Sequence, residues 1–345
     1  MTRSKPAPTL EDVARLAGVS TATVSRCLNA PERVVEDTRA RVLQAVETLG
    51  YTPNFAARVM AAKRSFTIGA IIPTMENAIF ARGLQAFQEE LHKRGYTLLV
   101  ASSAYRPEIE RDQIRLLASR GADGLLLIGH DRAAEIYDYL ERQQVPALVA
   151  WSYLPDAHVP SVGFDNHAAM FALAQRVISL GHRRIAMISA ICAGNDRARL
   201  RMEGLRAALR AHGVPPEALS VTETPYGIEE GAAALDALLS RENLPSVVMC
   251  GNDVLAVGAL RRAQSLGLSV PDDISITGFD DIELARIVSP ALTTVHVPHR
   301  EMGHRAACAL TDMIEHRGSA YSVRLDTRIC MRASLAEPSA SGALA

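Results

Sequence analysis

The sequence predicts a small all-α head followed by an α/β body of two similar doubly wound parallel-sheet lobes. Three observations carry this. Helix caps and apolar residues at helical spacing fill the first fifty positions. From Phe66 onward, apolar runs alternate with amphipathic helical patterns, the signature of strands crossed over by helices. That alternation comes in two series, and 345 residues are more than one core usually holds.

In the head, Thr9-Leu-Glu-Asp12 is a helix start of the capping-box kind, with an acid at the positive end of the helix dipole. Val13 and Leu16 mark the apolar face until Gly18 ends the helix. Ser20 caps a second helix over 21–29, closed by Pro31, and a third runs over 37–49 to Gly50. Val35-Glu36 offers no small capping residue before that third helix. Placed at 100° per residue, the second helix sets Ala22, Ser25, Arg26 and Asn29 on one side and Val24, Cys27 and Leu28 on the other. One side can pack, while the other presents small and polar groups to a groove, the outline of a helix-turn-helix. An Ala-rich stretch of two turns follows Pro53-Asn54 and reads as a linker too short to be helical alone.

In the body, the first strand series is 67–73, 97–102, 124–128 and 145–151, and the second is 184–189, 219–222, 246–250 and 274–279. Segments 159–164 and 292–297 read as crossovers between lobes. A last strand is expected over 323–333, and a disordered Ser/Ala-rich tail over 337–345. The expected domains are a headpiece at 1–52, a hinge at 53–65 and a two-lobed domain at 66–336. In that domain, lobe 1 takes 66–164 with 296–324, and lobe 2 takes 165–295 with 325–336.

Charge separates head from body. Residues 1–64 carry ten Lys/Arg against six acids, and the remainder carries 27 against 32, so the head alone is suited to a polyanion. Five dispersed cysteines without a CxxC pair, no apolar run of membrane length and no signal-peptide pattern lead us to expect a cytoplasmic, membrane-free protein. Catalysis is not expected. His296-x-x-His299, His304 and Cys308 are metal-capable types, but HExxH and zinc-knuckle spacings are absent. Asp280 and Asp281 are adjacent, so their side chains diverge, unlike a facing acid–base pair. GxGxxG, P-loop and GxSxG patterns are missing too, so neither metal nor cofactor is expected.

The run from Thr9 to Asn29 (TLEDVARLAGVSTATVSRCLN) closely resembles the headpiece of the lactose-repressor (LacI/GalR) family. The resemblance continues through Gly50-Tyr-Thr-Pro-Asn54, Val162-Gly-Phe-Asp-Asn166, Gly181-His-Arg-Arg-Ile185, Asn252-Asp253, Gly278-Phe-Asp-Asp281 and Ser289–Val295, covering roughly 9–335. It implies a DNA-binding transcription regulator, usually a repressor, with a periplasmic-binding-protein-like body. It also implies a homodimer on a pseudo-palindromic double-stranded operator. By the same resemblance, Thr21, Ala22 and Arg26 read bases, while Ser20, Thr23, Ser25, Asn29 and Thr38 position phosphates. Asn54, Ala57 and Met60 form the minor-groove hinge, with Met60 where relatives usually carry the wedging Leu. A C-terminal zipper is not expected, because the tail is too short for heptads.

Open α/β lobes bind ligands at strand ends, where Asp165, Asn252 and Asp280 fall. The family pattern adds Arg201, Tyr226 and Phe80, the last within Asn77-Ala-Ile-Phe80. The effector is then a small sugar or sugar acid. Ala104–Glu110 and Val162–Asn166 look most like the gluconate-repressor branch, with Arg201, Arg197 or Arg199 facing a carboxylate. Another effector class, such as a purine, stays open on the residues alone.

Overall fold

The computed structural model describes residues 7–52, 64–76, 78–241, 244–317 and 321–339. Asn54, Ala57, Met60, Asn77 and the side chain of Asn29 lie outside the described residues, as do 340–345. The chain divides into two compact units, Met1–Ser65 and Phe66–Ala345.

The first unit is built by its caps. Thr9 accepts from the backbone of Asp12, and Asp12 accepts from that of Thr9, fixing the start of α1 (Leu10–Ala17). Gly18 takes a left-handed φ of 66°, which lets the chain turn sharply into α2 (Thr21–Asn29). A short 3-10 turn at Pro31–Arg33 leads to α3 (Glu36–Leu49), whose N-cap Val35 provides no side-chain bond. Val13, Ala14 and Ala17 of α1, Val24 and Cys27 of α2, and Val42 and Ala45 of α3 meet in one core. Arg41 donates to the Ala17 carbonyl at 3.3 Å, placing a cation on the negative end of α1.

The second unit has two parallel sheets. Its first lobe orders the strands β11-β5-β4-β3-β1-β2: β1 (Thr67–Ile72), β2 (Thr97–Ser102), β3 (Gly124–Ile128), β4 (Ala147–Ala150), β5 (Ser161–Gly163) and β11 (Val323–Arg324). Period-two alternation decides the layers. Ile68, Ala70, Leu126 and Leu148 face α4 (Ala81–Lys93) and α12 (His299–Ile314). Ile71, Leu125, Leu127 and Val149 face α5 (Pro107–Ser119) and α6 (Ala134–Arg142).

The second lobe orders β7-β6-β8-β9: β6 (Ile185–Ala190), β7 (Leu219–Thr224), β8 (Val247–Cys250) and β9 (Ser275–Thr277). Ile185, Met187, Val247 and Met249 pack under α7 (Asn166–Ser179) and α8 (Asp196–Ala211). Ala186, Ile188, Val248 and Cys250 pack under α9 (Ile228–Leu239) and α10 (Asp253–Ser265). A four-residue helix, α11 (Leu284–Ile287), precedes β10 (Thr294–His296), which pairs antiparallel with β12 (Arg328–Cys330).

Two expectations are corrected. Segment 159–164 is not simply a crossover, because β5 within it pairs with β4 and β11 as a member of the first sheet. The single strand expected over 323–333 is instead β11 and β12, in different sheets. Both are pieces of two or three residues, too short to carry a periodicity.

Helices α4 and α12 approach closely where both carry glycine. A Cβ on Gly303 would stand 1.9 Å from the Gly83 carbonyl oxygen, and one on Gly83 would stand 2.5 Å from the Trp151 ring. We expect Gly303→Ala to lower stability by about 1–3 kcal/mol, as overpacking does. Urea unfolding reads this, and an unchanged midpoint would show that the helices part without cost.

Candidate functional site: an exposed helix and a buried cleft

Helix α2 buries Val24 and Cys27 and leaves Thr21, Ala22 and Arg26 exposed. Ser20 accepts from the Thr23 backbone at 3.2 Å, and the two hydroxyls meet at 2.9 Å, so both residues also serve the cap. Ser25 and Thr38 are half-buried. The exposed side therefore carries short side chains and one guanidinium, which can enter a groove without obstruction.

In the second unit, parallel pairing puts the carboxyl ends of the strands at one side of each sheet, and the chain segments leaving them build the cleft. Its floor is a closed ring of contacts. Arg201 on α8 is 4% exposed and donates through Nε to Asn166 Oδ1 at 2.8 Å and through Nη1 to the Gly251 carbonyl. Asn166 donates to the Trp151 carbonyl at 3.0 Å, and the Trp151 indole donates to His299 Nδ1 at 3.1 Å. His299 Nε2 then donates to the Asp280 carbonyl at 3.3 Å. The ring closes through Phe279, whose face lies 4.0 Å from the Arg201 guanidinium carbon and whose ring stacks on Phe164. Burial pushes His299 below its usual range, so its imidazole is neutral and takes the tautomer this ring requires.

Two polar atoms in this floor are buried without a partner among the described residues: Asn252 Nδ2 and Asp280 Oδ1. Asn252 caps α10 through Oδ1, which accepts from the Leu255 backbone at 2.9 Å, leaving its amide donor spare. Asp280 sits at φ 105°, a strained conformation for a residue with a side chain. The three adjacent carboxylates differ. Burial first, then the Asp280 charge, pushes Asp253 up to about 8. Burial would raise Asp281 as well, but hydrogen bonds from Arg286, Arg332 and His296 hold it far below the usual carboxylate range.

Of the other expected ligands, Asp165 caps α7 by accepting from the Ala168 backbone at 2.8 Å. Phe80 is 4% exposed and packs edge-on against Trp151. Tyr226 faces Tyr105 of the first lobe at 5.6 Å between ring centroids, beside a cavity of about 260 Å³ lined by Ala190, Gly194 and Asn195. Arg199 is half-exposed between Asp131 and Glu203.

Sequence reasoning missed one contact that joins the lobes. Asp196 accepts from the His130 backbone at 2.8 Å, and Arg197 donates to the Ile128 carbonyl at 2.9 Å. Arg197 thus serves the lobe contact. Gly129, at φ 73°, lets them in, since a Cβ there would lie 2.0 Å from the Arg197 guanidinium. Nothing local in the sequence marks this pair.

An exposed polar helix on a three-helix unit, with a two-lobed body that encloses unpartnered polar atoms, is the arrangement of a DNA-binding regulator controlled by a small molecule. The comparisons agree. Residues 9–54 match the model for bacterial regulatory proteins of the lacI family, and 174–335 match that for a periplasmic binding protein-like domain. The chain is 33% identical to the HTH-type transcriptional repressor CytR of Escherichia coli (strain K12), over 96% of this chain and 97% of that protein. It resembles the Lac repressor dimer bound to operator and the anti-inducer ONPF, with a TM-score of 0.84 and 26% identity over 96% and 99% of the two chains. It also resembles the transcriptional regulator CelR–cellobiose complex, at 0.71 and 30% over 95% and 99%. The chain belongs to the lacI family of bacterial regulatory proteins. It is a DNA-binding repressor regulated by a small-molecule effector, not an enzyme.

The raised Asp253 gives a pH signature. The folded chain holds this proton up to about pH 8, whereas an unfolded Asp releases it near pH 4. Between those values the native state binds more protons, so this group's contribution to stability falls as pH rises and levels off above about 8. Asp253→Asn, which can keep bonds to Thr294 and Ile282, should flatten that part of the profile in urea unfolding across the window.

Proposed function

We propose that the two units act as a headpiece and a two-lobed effector domain joined by a hinge at 53–65, working as a homodimer on a pseudo-palindromic operator. Arg26 reaches a base through its guanidinium fork, and Thr21 and Ala22 read by methyl contact and shape. Ser20, Thr23, Ser25, Asn29 and Thr38 position phosphates. Asn54, Ala57 and Met60 enter the minor groove, with Met60 as the apolar wedge.

The effector in this reading is a small polyhydroxylated molecule held between the lobes, with a gluconate-like sugar acid the favoured form. The observation that carries it is the pair of buried, unpartnered polar atoms on Asn252 and Asp280, beside Arg201 over Phe279. Arg201 Nη2 donates no hydrogen bond among the described residues. Two donors and one acceptor thus suit a carboxylate or hydroxyl at one end of the ligand and a hydroxyl at the other. A proton held by Asp253 below about pH 8 reduces the negative charge an anionic ligand would meet. The CelR complex supports the broader class, since that relative is seen with a sugar. Because the contact ring runs from Arg201 and Asp280 to Trp151 and His299, ligand in the cleft biases the lobes' relative arrangement and so the operator affinity.

Two measurements test this. Arg26→Ala should lose about 1–3 kcal/mol of discrimination per half-site between operator and scrambled DNA at fixed salt. Equal weakening on both DNAs would make Arg26 a phosphate contact. Calorimetric titration with gluconate and neutral sugars should show binding to the parent. Arg201→Ala should lose a few kcal/mol, Asp280→Ala should lose hydroxyl acceptance, and both should keep operator affinity. Parent-like affinity in Arg201→Ala would remove that residue from the site. Tight binding of neutral sugars alone would replace the sugar acid with a neutral effector.

A further inference from the structure

Helices α4 and α12 carry a second cluster that neither the cleft nor the headpiece uses. Their crossing at Gly83 and Gly303 brings the two backbones together, so side chains beside the crossing and up to two turns further on meet across the seam. His304 and Cys308 stand one turn apart on α12 and share a face. Glu90 of α4, 218 positions from Cys308 in the chain, lies against both. One carboxylate oxygen, Oε2, is 3.3 Å from His304 Nδ1 and the other, Oε1, is 3.8 Å from Cys308 Sγ, while the opposite ring nitrogen, Nε2, is 4.0 Å from that thiol. All three ligand atoms lie within 4.8 Å of one another. A tetrahedral ion with bonds of about 2.0–2.3 Å sets its ligand atoms roughly 3.3–3.8 Å apart.

We propose that Glu90, His304 and Cys308 bind a divalent transition-metal ion of the zinc type, with water as fourth ligand and Arg94 as the counter-cation it displaces. Glu90 is 8% exposed, and a carboxylate so placed needs a cation beside it. Arg94 now supplies the charge, donating to Glu90 at 3.0 Å and to the Cys308 sulfur at 3.1 Å, with Lys93 also 3.3 Å from the carboxylate. Arg94 can let go cheaply, because it also donates to Thr311 at 2.9 Å and Asp312 at 3.1 Å. On binding, the thiol proton leaves to solvent and an S–metal bond replaces the S–H bond. Thiolate and carboxylate then balance the two positive charges. A recess of about 990 Å³, lined in part by Glu301, His304, Arg305, Cys308 and Asp312, gives the ion and its water a way in.

The Asp281–His296–Cys330 group is the internal control. Its carboxylate is fully enclosed and held by Arg286, Arg332 and His296, which leaves a metal no open side, whereas the Glu90 side chain keeps 11% of its surface exposed.

Cobalt(II) titrated into the reduced, metal-free full chain tests the proposal. A thiolate-to-cobalt charge-transfer band should saturate at one equivalent and be bleached by zinc. Cys308→Ser should abolish the band, and Cys330→Ser should leave it. His304→Gln, at a site whose side chain is 54% exposed, should leave the fold intact, checked by its urea midpoint, and should weaken binding roughly tenfold or more. Arg94→Gln should tighten it. No band, a band that survives Cys308→Ser, or one lost only in Cys330→Ser would overturn the assignment.

Discussion

A guanidinium taken out of water is costly unless its donors are met, and Arg201 meets this demand at Nε and Nη1 by gathering the cleft around itself. Its partners come from three separate pieces of chain: the first residue of α7, the turn after β8 and the aromatic that follows β9. None of these is near Arg201 in sequence. Asn166 passes the connection on to Trp151, at the end of β4 in the first lobe. The second lobe's floor and the first lobe's strand ends are thereby set by one buried cation.

Around that cation the local environment gives chemically identical side chains different states. Asp253, enclosed beneath the N-terminus of α10, leans toward its neutral form. Asp281, one residue beyond Asp280, is held ionised by two arginines and a histidine. Beside them Asp280 keeps one oxygen without a partner among the described residues. Residue type alone would treat these acids as equivalent, and the difference lies in burial beside the Asp280 charge for Asp253 and in the donors that reach Asp281 from Arg286, His296 and Arg332.

Legibility in the sequence followed the range of the interaction. The caps at Thr9, Ser20 and Gly18 act over three or four residues, and they were readable to within a residue. The strands of four or more residues, and β9 within its longer apolar run, were visible, whereas β5, β10, β11 and β12 are too short to show a pattern. Arg201, Asn252 and Asp280 could be named as candidates from strand ends and family pattern, but their bonding could not, because it depends on Asn166, Gly251 and Phe279. The Asp196–His130 and Glu90–Cys308 contacts span 66 and 218 positions and became visible only when the helices were in place. Asp165 shows the converse: the sequence marks a strand-end acid, and the fold gives its carboxylate a helix cap to serve.

The chain contains one tryptophan, and it is Trp151. Its indole lies within the ring of contacts under the cleft, bonded to a neutral imidazole and flanked edge-on by Phe80. Intrinsic emission excited at the indole therefore comes from a single spot, shielded from solvent and one hydrogen-bonded residue away from both Arg201 and Asp280. Nature has in effect installed one optical probe at the joint between the lobes. Its wavelength and lifetime follow the state of that joint without any added label.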